Sequence, residues 1–190
     1  MLNVVPRILI VLLSAIGDVV RVLPALHSLR AGFPHAQIDW AVEAKAADIL
    51  EGNPDLDRVL VFGRSEDWRE SARRYWQFCR EVRNSRYDTV IDFHGILKSG
   101  VLSRFSGASA RYGFSRPRAQ EFSFLASNHR VSLNGELLNR VEENLRLAEG
   151  LTPRHEDTQL PSIFVPEDIQ LEVEGYLEEA FHGGKVSAAL

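Results

Sequence analysis

The chain has 190 residues, 45% of them hydrophobic and 25% charged, which is enough for one well-buried globular α/β domain. Its net charge of −4 argues against a general nucleic-acid binder, although it leaves room for a local basic face. The single cysteine, Cys79, excludes an internal disulfide bond and cannot form a zinc site alone, so we expect a reducing, cytoplasmic compartment.

The chain opens with a predicted strand, turn and helix. The apolar run from Arg7 to Leu13 is typical of a strand buried on both faces of a parallel sheet. Ser14 and Gly17 allow a tight turn, and apolar residues then recur at helical spacing over 19–26. A signal-peptide core is the alternative for 4–16, but little positive charge precedes it and an amphipathic helix follows directly, which favours the buried strand.

Asp18 stands where this first helix begins, at the predicted carboxyl end of the first strand. Ligands of open α/β sheets bind at that end of the strands. Spacing alone leaves two interpretations of Asp18 open. The side chain is either a plain helix cap or a carboxylate that removes a proton from a hydroxyl nucleophile.

Strands and helices alternate along the next part of the chain, which predicts successive right-handed βαβ units and a sheet ordered 3-2-1-4-5. The first helix ends near Gly32. Further strands are predicted at 37–42, 58–62, 88–93, 110–114 and 129–132, helices at 43–51, 66–84, 96–105 and 136–149, and a loop with a short helix at 116–128.

The predicted helix 66–84 carries an apolar stripe surrounded by five arginines. We expect its aromatic residues, among them Trp68, Tyr75 and Trp76, to pack on the sheet while the arginines form a solvated face. A helix that faces an anion is the alternative interpretation.

A second polar turn, Asp92-Phe93-His94-Gly95-Ile96-Leu97-Lys98-Ser99, follows the fourth strand. Strands 1 and 4 are neighbours in the predicted order, so this turn and the turn of Asp18 should line one crevice. Lys98 and backbone N–H groups would hold an anion there. For Asp92, a structural carboxylate that accepts hydrogen bonds from loop N–H groups is favoured over a catalytic one.

Several classes of site find no support in the sequence. It has no dinucleotide fingerprint, no phosphate-binding P-loop, no metal-ligand spacing and no nucleophile elbow, so we predict neither a cofactor nor a metal. The middle of the chain is instead basic, opposed mainly by Glu121, which suits a phosphate or carboxylate ligand. Its basic residues are Lys98, Arg104, Arg111, Arg116, Arg118 and Arg130.

Beyond Gly150 the composition becomes polar and then strongly acidic. We predict a short strand at 161–165, an acidic helix from 166 to about 181, and a strand that begins at 186. We therefore expect one domain over residues 1–165, and an interdomain helix with the first strand of a second domain, otherwise absent, over residues 166–190.

The opening Gly-Asp turn and the later D-x-x-G-x-x-K-S turn together resemble the N-terminal half of the lipopolysaccharide heptosyltransferases, glycosyltransferase family 9. The likeness extends over about residues 7–165 in the same element order. It depends on residues 8–11, 14–20, 23–26, 90–99 and 111–114. His94 stands where many relatives carry Gln, and Asn139 falls about where relatives carry a His.

The resemblance implies the N-terminal domain of a GT-B glycosyltransferase, a Rossmann-like parallel sheet with helices on both faces, which holds the acceptor while a C-terminal domain holds ADP-heptose. It implies that Asp18 is the general base of an inverting, metal-independent heptose transfer to the lipopolysaccharide inner core. The isolated chain is then expected to be inactive. Another GT-B transferase, or a non-catalytic module for anionic glycans, remains an alternative.

The acceptor implied by the resemblance is an anionic glycolipid of the Kdo–lipid A type, with no nucleic-acid partner. Its phosphates and carboxylates would meet basic residues near 64–80 and 116–118. The enzyme would be cytoplasmic, with peripheral contact at the inner membrane surface. The acceptor-binding residues implied are Ser14, Gly17, Asp92, His94, Gly95, Lys98, Arg116 and Arg118.

Overall fold

The computed structural model describes residues 5–133, 138–153, 171 and 173–176. Within them, parallel strands form one sheet; numbered in chain order, they lie 3-2-1-4-5-6 across it, which confirms the predicted order and adds a strand at the edge. The strands are β1 Arg7–Val11, β2 Gln37–Glu43, β3 Arg58–Phe62, β4 Thr89–Asp92, β5 Ala110–Phe114 and β6 His129–Val131. The helices are α1 Ile16–Gly32, α2 Trp68–Asn84, α3 Leu97–Phe105 and α4 Arg140–Glu149.

The central strand β1 explains the unbroken apolar run at the start of the sequence. Successive side chains of a strand point to opposite faces of the sheet. Ile8, Ile10 and Leu12 pack into one hydrophobic cluster, and the residues between them pack into a second cluster on the other face. Because both faces are covered, residues 8–13 are all buried. The predicted buried strand is confirmed.

The two clusters divide the helices between the faces of the sheet. The first contains Leu26 of α1 and Leu145 of α4, and the second contains Phe78 of α2 and Leu102 of α3. The predicted α/β class, with a Rossmann-like parallel sheet and helices on both faces, is confirmed.

Two predicted helices differ from the structure. Residues 43–51 form two 3₁₀ turns, Ala44–Ala46 and Asp48–Leu50, instead of one helix. The last helix begins at Arg140, because Asn139 caps it by accepting a hydrogen bond from the backbone N–H of Glu142 at 3.0 Å. The expected start at 136 lies outside the described residues.

The expected packing of the aromatic residues of α2 is wrong for two of them. Phe78 is buried and Tyr75 is partly buried, but Trp68 is 73% exposed and Trp76 is 51% exposed. Trp68 is the first residue of α2 and lines a surface groove, and Trp76 packs against the ring of Phe105 in α3, so neither reaches the core.

The predicted domain boundary at residue 165 and the predicted strand from 186 fall outside the described residues. Residues 171 and 173–176, within the predicted acidic helix, are helical. In the part of the chain that the structure describes, no helix combines the length and the apolar character needed to span a membrane.

Candidate functional site

A cavity of about 340 Å³ opens beyond the carboxyl ends of β1 and β4, and we call it the Asp18 cavity. Val11 at the end of β1 lies beside Asp92 at the end of β4, so the turns that follow these strands meet. The predicted convergence of the two turns on one crevice is confirmed. The cavity is lined by Leu12, Asp18, Arg21, Val22, Phe93, His94, Ile96, Arg118, Gln120, Arg140 and Asn144.

Asp18 is the third residue of α1 and not its cap, since α1 begins at Ile16 and Ala15 holds the cap position. The Asp18 carboxylate accepts hydrogen bonds from Ser14 Oγ at 2.5 Å and from Arg21 Nη1 at 3.1 Å. The side chain is still 47% exposed. The helix-cap interpretation is therefore wrong, and the carboxylate remains accessible to a ligand in the cavity.

Asp92 organises the turn after β4. Its buried carboxylate accepts hydrogen bonds from the backbone N–H groups of His94 and Gly95, each at 3.0 Å, and from Ser99 Oγ at 2.8 Å. The predicted contact with loop N–H groups is confirmed. Burial raises the pKa of the Asp92 carboxyl to about 6, although these hydrogen bonds and the charge of Arg118 oppose that effect.

Gly95 provides the backbone conformation that this turn needs. Its φ of +70° lies in the left-handed region, which costs glycine little because it has no Cβ. The turn so formed directs the preceding residue, His94, toward the Asp18 cavity.

His94 contributes an imidazole whose Nδ1 is buried without a hydrogen-bond partner in the described structure. Burial lowers the pKa of His94, while the charges of Asp18 and Glu43 act in the opposite direction. The ring is therefore neutral near pH 7. An unmade buried hydrogen bond is costly, but Nδ1 is closed to solvent, so the ring would have to turn for this nitrogen to meet a ligand hydroxyl.

Arginines surround the carboxylate of Asp18 in the cavity. Arg118 Nε and Arg140 Nη1 both donate to Glu143 Oε2, at 2.9 and 2.7 Å. This shared carboxylate fixes two guanidinium groups in the wall of the cavity, and Arg21, which donates to Asp18, lines it as well. A cavity with one carboxylate and three arginines suits an anionic ligand that carries a hydroxyl group.

Lys98 lies outside the Asp18 cavity, in a neighbouring groove of about 480 Å³ that Phe62, Tyr75 and Trp68 also line. Its Nζ donates to the buried carboxylate of Glu43 at 2.9 Å and sits 4.1 Å from the centre of the Phe62 ring. The structure thus does not bring Lys98 together with Asp18.

The remaining predicted residues occupy different positions around these two spaces. Gly17 is exposed at the start of α1, and a Cβ placed there would meet no atom within 4 Å. The guanidinium of Arg116 lies over the rings of Phe122 and Phe124, at 5.3 and 4.5 Å, and does not line the Asp18 cavity. Arg118, by contrast, does line it.

Sequence reasoning missed Arg21, Gln120, Arg140 and Asn144. Arg21 follows Asp18 by three residues on a helix, and that spacing could have indicated it. Arg140 and Asn144 reach the cavity only because α4 packs beside α1, where Asn144 Nδ2 donates to the backbone oxygen of Arg21 at 3.0 Å. No local sequence pattern predicts a contact of this kind between two helices.

Glu43 pairs with both cationic side chains of the groove beside the cavity, Lys98 and Arg64. Its carboxylate, 4% exposed, also accepts hydrogen bonds from Arg64 Nε and Nη2 at 3.0 and 2.7 Å. Burial by itself would raise the pKa of Glu43, but Lys98 and Arg64 outweigh burial and hold that pKa below its usual range.

Replacing Glu43 by glutamine should therefore lower the free energy of unfolding by about 1–3 kcal/mol at pH 7, since Lys98 and Arg64 lose their charged partner. The lowered pKa means that ionised Glu43 stabilises the fold above the unfolded value of 4.5, and that this contribution is lost as the pH falls through the folded pKa. Urea denaturation should show the difference between wild type and Glu43→Gln shrinking below pH 4.5. Glu66→Gln, an exposed change in the same groove, is the control. An equal effect of both variants would contradict the assigned role of Glu43.

In the described part of the chain, no cluster of three or more His, Cys, Asp or Glu side chains is placed to hold a metal ion. The donors available in the Asp18 cavity are mainly cationic, which suits anions.

Residues 75–179 match the model of a family described as glycosyltransferase family 9 (heptosyltransferase). Two curated proteins that are similar to this chain are both named lipopolysaccharide heptosyltransferase 1. The Pseudomonas aeruginosa protein is 35% identical over 60% of this chain and 34% of its own length. The Salmonella typhimurium protein is 32% identical over 72% of this chain and 46% of its own length. The chain thus spans a third to a half of these relatives.

Solved structures show the same fold. The Escherichia coli heptosyltransferase WaaC with ADP has a TM-score of 0.68 and 28% identity, over 80% of this chain and 49% of that one. A glycosyl transferase family 9 protein from Veillonella parvula has a TM-score of 0.80 over 94% of this chain and 49% of that one. At 21% identity the second comparison shows the fold alone.

Proposed function

This chain belongs to glycosyltransferase family 9, whose model matches more than half of its residues, and we propose that it forms the acceptor-binding half of an inverting heptosyltransferase. The observation that carries the proposal is the Asp18 cavity at the carboxyl ends of β1 and β4. A carboxylate there is open to solvent, in a cavity that three arginines and His94 also line.

In the proposed reaction Asp18 is the general base. Its carboxylate takes the proton of an acceptor hydroxyl, and the hydroxyl oxygen forms a bond to the anomeric carbon of the donor sugar. The bond from that carbon to the phosphate oxygen breaks, and ADP leaves with the electron pair. Attack from the face opposite to ADP inverts the anomeric configuration. Ser14 and Arg21 hold the Asp18 carboxylate in place by their hydrogen bonds.

The proposed acceptor is an anionic glycolipid of the lipopolysaccharide inner core, of the Kdo–lipid A type. Its carboxylates or phosphates would pair with Arg118 and Arg140, which Glu143 holds on one wall of the cavity. Once its ring turns toward the cavity, His94 would hydrogen-bond a sugar hydroxyl, and Asp92 with Gly95 would fix the turn that presents His94. Lys98 and Arg64 would extend the cationic surface into the neighbouring groove.

The donor would be ADP-heptose, held mainly by a second domain outside this chain. This assignment is supported by the greater length of the relatives. The WaaC structure that contains ADP-2-deoxy-2-fluoro heptose aligns with this chain over only 51% of the WaaC chain. We propose residues 1–165 as the acceptor domain and 166–190 as the link to the donor domain. Neither a cofactor nor a metal is required in this scheme, and the isolated chain is expected to be inactive.

The test is a transfer assay of the full-length protein with ADP-heptose and a Kdo–lipid A acceptor. Transfer of one heptose is expected, with an anomeric configuration opposite to that of the donor, read by NMR of the product. ADP-glucose with the same acceptor is the matched control for the donor sugar. A product of retained configuration, or preference for another sugar, would contradict the proposal.

A further inference from the structure

We propose that the outer face of α2, with the end of α3, is a docking surface for an anionic lipid bilayer. The proposal concerns a surface outside the Asp18 cavity and does not depend on the reaction assigned above. We call this surface the arginine–tryptophan face. It consists of Arg69, Arg73, Trp76, Arg80 and Arg83 of α2 and of Arg104 and Phe105 of α3.

The α2 members lie on one side of the helix. Positions 69, 73, 76, 80 and 83 follow one another at steps of four and three residues, the spacing that keeps side chains on a single helix face. All of them are exposed. The chain therefore forms a straight row of four guanidinium groups with a tryptophan at its centre.

Acidic side chains are absent from this row. Glu70 and Glu81, the carboxylates of α2, lie about 100° and 120° from the centre of the row around the helix axis, and Glu70 lies about 60° from Arg73. Glu70 pairs there with Arg74, at 3.0 Å. In the described part of the chain, no carboxylate lies within 4 Å of Arg69, Arg73 or Arg80, so their charges are uncompensated.

Two aromatic rings stand among these charges. Trp76 and Phe105 pack edge to face with ring centres 5.0 Å apart, and they are 51% and 44% exposed. Their contact joins α2 to α3 and leaves both outer surfaces in solvent. Trp is enriched at the headgroup level of membranes, where its amphipathic ring is stabilised, and Arg stems extend past apolar surface to reach phosphates.

Charge complementarity favours an anionic bilayer as the partner. The whole chain carries a net charge of −4, so this face is a local reversal of sign that orients the molecule toward an anionic surface. A nucleic acid also binds arginine and aromatic side chains, but single strands are held in grooves, whereas these residues lie on a convex helix. The face therefore fits a planar array of headgroup phosphates.

The test is co-sedimentation of the full-length protein with vesicles of phosphatidylcholine and phosphatidylglycerol in equal parts, without acceptor. Binding is expected, together with a blue shift of tryptophan fluorescence, and pure phosphatidylcholine vesicles should bind much more weakly. Arg73→Gln should reduce vesicle affinity about fivefold, the loss expected for one basic residue near an anionic surface. Trp76→Ser should reduce affinity and abolish most of the blue shift.

Arg74→Gln is the matched control, because it removes the neighbouring arginine, which faces the other side of α2 and pairs with Glu70. It should bind vesicles as wild type does. Equal losses in Arg73→Gln and Arg74→Gln would overturn the proposal, since only non-specific charge would then matter. Failure of wild type to bind the anionic vesicles, or binding to a single-stranded oligonucleotide in preference to them, would also overturn it.

Discussion

Asp18→Asn in the full-length protein should reduce the rate of heptose transfer by about 10²–10⁴-fold, the usual contribution of a general base. The amide has the shape of the carboxylate and still accepts a hydrogen bond from Ser14, but it cannot take a proton from the acceptor hydroxyl. The loss should fall on kcat, with little change in the KM for the donor, in a steady-state transfer assay. Because Asp18 is half exposed, the melting temperature should change little.

Two further variants test whether Asp18, and not another residue, is the general base. Asp48→Asn changes an exposed aspartate outside the cavity and should transfer heptose at the wild-type rate. His94→Gln removes the other group in the cavity that could accept a proton, while keeping a hydrogen-bonding side chain. If His94→Gln lost the activity that Asp18→Asn retained, the base would be His94 and our assignment would be wrong.

Asp92→Ala should be the most damaging change to the architecture of the site. It leaves the N–H groups of His94 and Gly95 and the hydroxyl of Ser99 without their acceptor, and we expect the free energy of unfolding to fall by about 3 kcal/mol. The loosened turn would displace His94 from the cavity, and a displacement of about 1 Å costs on the order of 100-fold in rate. Urea denaturation and the transfer assay measure the two effects.

Asp92→Asn separates the hydrogen bonds of Asp92 from its charge. The amide oxygen still accepts from the two N–H groups, so stability at pH 7 should be close to wild type. The folded pKa of about 6 lies above the usual aspartate pKa of 3.8, which means that the folded state binds the proton more tightly. Wild-type stability should therefore decrease as the pH rises from 4 to 6, relative to Asp92→Asn. If the free energy of unfolding of wild type and of Asp92→Asn varied with pH in the same way, this account of Asp92 would be contradicted.

The sequence predicted the elements that carry the site because those elements have strong local patterns. The apolar run of β1 is continuous since both faces of the sheet are covered, and each polar turn follows such a run directly. Strand order then brought Asp18 and His94 to one cavity, as parallel topology requires. The predicted family resemblance agrees with the family match.

Contacts between segments that lie far apart in the chain could not be predicted from local sequence patterns. Lys98 does not lie at the predicted anion site, because its Nζ donates to Glu43, 55 residues earlier in the chain, in the neighbouring groove. Arg140 enters the cavity through packing of α4 on α1, which no periodicity in α4 encodes. Trp76 was assigned to the packed stripe by its aromatic character, but it shares a helix face with the exposed Arg73 and Arg80, three and four residues away.

The most direct test of the central claim is a crystal structure of the full-length protein with a Kdo–lipid A acceptor analogue and a non-transferable ADP-heptose analogue. We predict that the nucleophilic hydroxyl lies about 2.6–3.2 Å from the Asp18 carboxylate, with an acceptor anion on Arg118 and Arg140. An acceptor bound outside the Asp18 cavity, or one whose hydroxyl meets another base, would contradict the claim.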